Sequence, residues 1–182
     1  MDLINSIFKK IAIKMANRSN KSKIAYLKEK GCKLGGGCHL NCGIKSFGTE
    51  PYLISLGDDC LIAEEVRFIT HDGAIFVLNN LGFFNGERKD KIAPITIGNN
   101  VYIGTGAYIM PGVQIGNNCI IGAKALVTKN IPDNSVAVGI PAKVIEDVET
   151  FYKNTIEKDI LYNTTKMTFE EKKHFFQNMD SF

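Results

Sequence analysis

The stretch Ile97-Gly98-Asn99-Asn100-Val101-Tyr102-Ile103-Gly104-Thr105-Gly106-Ala107-Tyr108-Ile109 decides the fold. Its aliphatic residues recur every six positions, and the series continues through Ile115, Ile121 and Val127. Two residues before each stands another small or aliphatic residue. The triplets Val101-Tyr102-Ile103, Ala107-Tyr108-Ile109, Val113-Gln114-Ile115, Cys119-Ile120-Ile121 and Ala125-Leu126-Val127 result. Each reads in-out-in, the two-residue alternation of a very short strand. Gly98-Asn99-Asn100, Pro111-Gly112 and Gly116-Asn117-Asn118 separate them. Gly and Asn tolerate left-handed backbone and Pro presets a bend, so the chain makes a short strand, turns a corner and repeats.

Working outward, the same triplet appears at Cys32-Lys33-Leu34, Cys38-His39-Leu40, Ile54-Ser55-Leu56, Cys60-Leu61-Ile62 and Val66-Arg67-Phe68, with Ile44-Lys45-Ser46 a weaker member. Three such units make one triangular turn. The grouping predicted is 32, 38, 44; then 54, 60, 66; then 95, 101, 107; then 113, 119, 125; and a partial fifth turn around Val136-Ala137-Val138. Two insertions break the period, a short one at Phe47–Leu53 and a long one at about 69–94.

The flanks differ. In residues 1–30, Leu3, Ile4, Ile7, Phe8, Ile11 and Met15 recur at helical spacing among lysines, followed by a second helix from about Ser22 to Lys30. Such a basic amphipathic segment suits peripheral contact with an anionic membrane surface or, the reading preferred, packing within the protein's own oligomer. After Glu146 the period is lost, and Thr168-Phe169-Glu170-Glu171 reads as a capping box opening a helix. The expected domains are a helical segment at 1–30, the repeat region at 31–145 and a helical segment at 146–182.

Composition bounds the function. Of the 182 residues 45% are hydrophobic, enough for a packed core, and no apolar run approaches the ~18 residues of a membrane span. A net charge of +3 does not point to nucleic acid. Five cysteines without a CxxC pair suit free thiols in a reducing, cytoplasmic compartment. Cys32, Cys38, Cys42 and His39 do not have the spacing of a zinc motif, and no metal is expected. Cys38, Cys60 and Cys119 should point inward, whereas Cys42 reads as a turn residue and the most reactive thiol.

The Ile-Gly-x-x-small-x repeats resemble the hexapeptide-repeat transferases. Gly48-Thr49-Glu50-Pro51-Tyr52-Leu53-Ile54 and Phe68-Ile69-Thr70-His71-Asp72-Gly73 look like the capsular and lipopolysaccharide O-acetyltransferase branch. The segments from Pro94 to Gly104 and Gly139-Ile140-Pro141-Ala142-Lys143-Val144-Ile145 are similar to galactoside and maltose acetyltransferases. The fold this implies is an all-β core, a left-handed parallel β-helix with N- and C-terminal α-helices. The hand comes from the resemblance alone; general crossover preferences would give the opposite.

The resemblance also implies the chemistry: acetyl transfer from acetyl-CoA to a sugar or polysaccharide hydroxyl. His71, where the long insertion leaves the repeat, takes the place of the general base, a role imidazole suits near neutral pH. The main chain of Thr105 takes the oxyanion position. Asp72 could orient the imidazole, with Glu64 and Glu65 as competitors. Coenzyme A positions map to Thr105, Ala123, Thr128, Lys129 and Lys143. Glu64 and Tyr102 map to the acceptor pocket; Tyr102 stands where relatives often carry Trp. The apolar insertion (Ala74 to Leu78, Leu81, Phe83, Phe84) reads as an arm covering a neighbour, in a homotrimer with a site at each interface. The rival functions are nucleotide-sugar N-acetylation, antibiotic acetylation and a non-enzymatic scaffold.

Overall fold

The computed structural model describes residues 10–179. Residues 10–16 are helical (α1), and α2 spans Asn20–Glu29, capped by Ser19, whose side chain accepts from the Ser22 N–H. The first coil holds β1 (Lys33–Leu34) and β2 (His39–Leu40). The second holds β3 (Ile54–Leu56), β4 (Leu61–Ile62) and β5 (Arg67–Phe68). Helix α3 (Ile75–Asn80) lies in the long insertion. The third coil holds β6 (Ile95–Ile97), β7 (Tyr102–Ile103) and β8 (Tyr108–Ile109); the fourth holds β9 (Gln114–Ile115), β10 (Ile120–Ile121) and β11 (Leu126–Val127). The chain continues in β12 (Ser135–Gly139) and β13 (Ala142–Asp147).

Strands pair with their counterparts one coil away, in parallel. Lys33, Ser55, Thr96 and Gln114 align on the first face. His39, Leu61, Tyr102, Ile120 and Val136 align on the second. Arg67, Tyr108 and Leu126 align on the third. The chain therefore winds as a parallel β-helix with three faces, in the register read from the triplets. Inward residues are dry: Ile54, Cys60, Ile62, Ile95, Ile103 and Ile121 are all 0% exposed. Each such Ile contributes roughly 1.5–3 kcal/mol, realised only when the next coil covers it. At the corner between the first and second faces, Asn100, Asn118 and Asn134 adopt left-handed backbone, and their side-chain amides link at 3.0 and 2.9 Å.

Three expectations are corrected. The fifth-coil triplet is Ser135-Val136-Ala137, one residue earlier than expected, because Ile120 aligns with Val136. Val136 is buried although it should point outward, and β13 returns antiparallel along β12, with Val136 opposite Glu146. The third side of the first coil is a short 3₁₀ helix, Ile44–Phe47, rather than a strand, and the Phe47 ring packs on Phe68 at 4.9 Å. Finally, Leu3, Ile4, Ile7 and Phe8 lie outside the described residues, and in α1 it is Ala16 that is buried and Ile13 that packs on the core, while Ile11 and Met15 are exposed.

The open edge of β2 is closed by α2. The Asn20 side chain donates to Cys38 O at 2.8 Å and accepts from Leu40 N at 2.7 Å, standing in for a neighbouring strand. Among the described residues, 149–179 form a separate compact unit. There α5 (Phe169–Gln177) follows α4 (Val148–Glu157), and the capping box closes with both hydrogen bonds, Thr168 to Glu171.

Cys42 is corrected too: it is buried, like Cys32, Cys38, Cys60 and Cys119, and all five are free thiols. Burial pushes the Cys32 thiol up to about 12 and that of Cys60 up to about 11, and raises those of Cys42 and Cys119. Because the thiolate is the nucleophile, all five should alkylate with iodoacetamide only as fast as the coils open. Mass spectrometry of a native labelling series would sink this packing if Cys42 reacted within minutes while Cys60 did not.

Candidate functional site

The corner between the third and first faces is where both insertions leave the prism. Above it, the two ends of the long insertion tie to each other. His71 bridges antiparallel to Ile92, Asp72 N–H donates to Lys91 O at 2.8 Å, and Ala93 N–H donates to Thr70 O at 2.9 Å. His71 thus stands on a hydrogen-bonded base while its side chain remains 55% exposed. One coil below, the short insertion turns at Gly48, whose φ of +65° is left-handed, and delivers Glu50 to the same corner.

Glu50 Oε2 lies 2.9 Å from His71 Nδ1. The same oxygen accepts from Thr70 Oγ1 at 2.6 Å, and Oε1 accepts from Thr49 Oγ1 at 2.6 Å. The hydroxyls of Thr49 and Thr70 and the imidazole hold its carboxyl down at about 2, against the opposing effect of burial. An ionised carboxylate only accepts, so His71 Nδ1 carries a hydrogen, and in the neutral form of the ring the lone pair lies on Nε2.

Asp72 does not orient the imidazole. It pairs with Lys91 at 2.8 Å and caps Ala74 N at 3.0 Å, and these bonds lower its carboxyl. Of the competitors, Glu65 faces Lys124 at 3.3 Å, and Glu64 stands at the corner between the second and third faces. Glu50, inside a segment quoted for its resemblance, is the acid the sequence reading missed. The signal available was that both insertions interrupt the repeat at one corner, one coil apart.

A hollow of about 310 Å³ opens beside the pair, lined by Glu50, His71, Asp72, Ile75, Lys91 and Ile92. The other expected site residues fall into two groups. Thr128 and Lys129 follow β11, so they share the His71 corner, two coils further on. Glu64, Thr105 and Ala123 follow the aligned strands β4, β7 and β10, so they stack in a column at the next corner, across the third face. Thr105 is exposed, its carbonyl accepts from Lys124 N at 2.8 Å, and its own N–H has no partner among the described residues. Tyr102 points outward from the second face, 39% exposed, beside Asn100 and Asn118. Lys143 lies exposed on β13, opposite Val138. One copy of the chain therefore brings His71 and Thr105 to different corners.

The long insertion carries Phe76, Val77, Leu81 and Phe83, each 58–66% exposed, so it does not fold back onto its own prism. His39 is exposed on the second face and His174 is exposed in α5. Among the described residues, no group of three His, Cys, Asp or Glu side chains converges to hold a metal ion. None of the described helices is long and apolar enough to cross a membrane.

Residues 94–129 match the bacterial transferase hexapeptide family (six repeats). Protein CapG of Staphylococcus aureus is 38% identical over 172 residues, covering 93% of this chain and 95% of that protein. Galactoside O-acetyltransferase of Escherichia coli K12 is 42% identical over 112 residues, covering 61% of this chain and about half, 52%, of the relative. Among solved structures, a galactoside acetyltransferase in complex with coenzyme A superposes with a TM-score of 0.56 at 27% identity, covering 81% of this chain and 82% of that one. A Vibrio cholerae hexapeptide-repeat acetyltransferase in complex with acetyl coenzyme A shares the fold, with a TM-score of 0.57 at 20% identity over 76% of this chain and 84% of that one.

Proposed function

Because this chain belongs to the bacterial hexapeptide-repeat transferases, we propose that it is a left-handed β-helix O-acetyltransferase that moves acetyl from acetyl-CoA to a sugar or polysaccharide hydroxyl, with His71 as general base. The observation that carries the reading is the Glu50–His71 pair, whose imidazole is held through Nδ1 and lines a hollow on the prism corner. Nε2 takes the proton of the acceptor hydroxyl as its oxygen attacks the thioester carbon. The oxyanion that forms meets the Thr105 N–H, a donor worth roughly 3–4 kcal/mol in such sites. As the C–S bond breaks, the imidazolium returns its proton to the departing sulfur, giving the acetyl ester and free coenzyme A. Attack is direct, and no acyl-enzyme is required. Glu50 is a positioning residue, holding the tautomer that leaves Nε2 basic.

The placement of His71 and Thr105 on different corners supports a site shared between copies. A second prism that sets its Thr105 corner against the His71 corner of the first completes the constellation, and three such contacts close a ring. The exposed Phe76, Leu81 and Phe83 arm would be covered by that neighbour. Coenzyme A lies in the resulting groove, with Ala123 leaving room for the pantetheine arm and Thr128, Lys129 and Lys143 toward its phosphates. The same chemistry suits the cytoplasm, where acetyl-CoA is made.

The test is a screen with acetyl-CoA over free sugars, nucleotide sugars and lipid-linked glycans, reading thiol release, alongside sedimentation at micromolar concentration. The expected result is acceptor-dependent thiol release from a trimer. Transfer to amines alone would overturn O-acetylation, and an active monomer would overturn the shared site.

A further inference from the structure

A second hollow, of about 340 Å³, opens on the other side of the short insertion, lined by Tyr26, Lys30, Ile44, Lys45, Thr49 and Tyr52 among others. Thr49 lines it, while the next residue, Glu50, lines the His71 hollow, so the two are separated by one residue of chain. It lies toward the first coil, whereas Thr128 and Lys129 lie two coils beyond His71 in the opposite direction. An acceptor reaching His71 from this side would not compete with the donor for space.

The lining has a specific chemistry. Its floor is apolar, from Leu27, which is buried, and Ile44. Tyr26 and Tyr52 contribute aromatic surface, Tyr52 being 58% exposed, of the kind that packs against the C–H face of a pyranose ring. Cations predominate around it. Lys30 sits 5.5 Å over the Tyr26 ring, and the Lys45 side chain has no partner among the described residues. Arg67 Nη1 reaches Lys45 O at 3.4 Å. Two carboxylates are near: Glu29, paired with Lys30 at 2.9 Å on the open surface, and Glu50, whose oxygens are committed to Thr49, Thr70 and His71. An exposed pair such as Lys30–Glu29 is weak enough to exchange partners. Among the described residues, no carboxylate pairs with Lys45 or Arg67.

We propose that this hollow is a second acceptor subsite, which seats the sugar residue next to the one being acetylated and binds an anionic group on it, a carboxylate or a phosphate, through Lys45 and Lys30. The inference rests on the sugar O-acetyltransferase reading and narrows it: the acceptor is an acidic glycan of at least two residues, not a neutral monosaccharide.

The experiment is equilibrium binding by calorimetry to the full-length protein without acetyl-CoA, using cellobiose, the corresponding disaccharide uronate and a disaccharide phosphate. The acidic probes are expected to bind at least about 10-fold more tightly than cellobiose, the gain of one or two charge-assisted hydrogen bonds. That margin should shrink in 0.5 M salt on the order expected for screened surface charges. K45Q alone should narrow it, K30Q/K45Q should abolish it, and H71A should retain it. Tighter binding of the uronate or of the phosphate assigns the group. Equal affinity for neutral and acidic probes, no binding of either, or a preference that survives in K30Q/K45Q overturns the subsite. Since no transfer is read, failure of the acetylation screen and failure of this inference remain separate results.

Discussion

His71→Ala should lower kcat by at least about 10²-fold while coenzyme A binding is unchanged, because a positioned base typically contributes 10²–10⁴. The argument is geometric. His71 Nδ1 is occupied by Glu50 at 2.9 Å, its side chain is 55% exposed and lines a hollow, and Nε2 has no hydrogen-bond partner among the described residues. Neither neighbouring carboxylate replaces it: Asp72 is tied to Lys91 and Ala74, and Glu50 is too weak a base with its carboxyl near 2. The residual rate would come from holding both substrates together and from the Thr105 N–H. Because the ring is open to solvent, added imidazole should restore part of the lost rate. Steady-state thiol release at saturating acceptor, with calorimetric titration of coenzyme A, makes the measurement. Turnover within a few-fold of the parent protein would remove His71 from the mechanism.

The second large effect is expected from Glu50→Gln, a loss of roughly 10–10³-fold in kcat. A carboxylate can only accept from Nδ1, whereas an amide can turn its NH₂ toward the ring and hold the hydrogen on Nε2 instead. The base is then present but presents the wrong nitrogen. Nitrogen-15 NMR of labelled histidine distinguishes this from general damage, since the tautomer signature should move in E50Q. The double variant E50Q/H71A should be no slower than H71A, because the first residue acts through the second. There is also a stability consequence. The Glu50 carboxyl is depressed in the folded state, from an ordinary 4.5 to about 2, so its stabilisation is complete above about pH 4.5 and is lost as pH falls toward 2. The linkage is worth up to about 3 kcal/mol for this side chain, which is only 17% exposed. The gap in urea midpoint between wild type and E50Q should therefore be narrower at pH 3 than at pH 6, without closing fully until pH approaches 2. A gap undiminished at pH 3, or an unmoved tautomer signature in a slowed enzyme, would refute the pairing.

The coil was legible because its signal is redundant. Each inward aliphatic residue is repeated by its counterparts on the same face, so one weak triplet does not disturb the count. The errors arose where that redundancy stops. At the fifth coil, Val136 is covered although it points away from the core, so inside and outside no longer differ in polarity. At the first coil, Cys42 falls between two triplets and so reads as a turn residue, yet burial alternates without a break through Cys38, Leu40, Cys42 and Ile44. That two-residue alternation was the signal available for burying Cys42. Asp72 was favoured as the partner of His71 because it is adjacent in sequence. Adjacency on an extended chain sends neighbouring side chains in opposite directions, and here Asp72 turns to Lys91. Glu50 is 21 positions away and meets His71 only because one coil lies on the next. The separation of His71 from Thr105 could be counted from the triplets, since six residues of offset means one corner.

Both insertions at a single corner bear on how such a gene can change. Extra chain extruded at a vertex leaves every later strand above its old partner, so lobes of any length can be tried there without rewriting the barrel. A whole additional coil, 18 residues by the spacing from Thr96 to Gln114, would lengthen the stack and preserve each vertex. Six inserted residues within a face would not. They would turn everything downstream by a third of a revolution, carrying Thr128 and Lys129 away from the vertex of His71 and moving Thr105 onto it. Insertions that are not whole coils should therefore be more disruptive to this enzyme than those that are, unless they fall at the vertex where 47–53 and 69–94 already do.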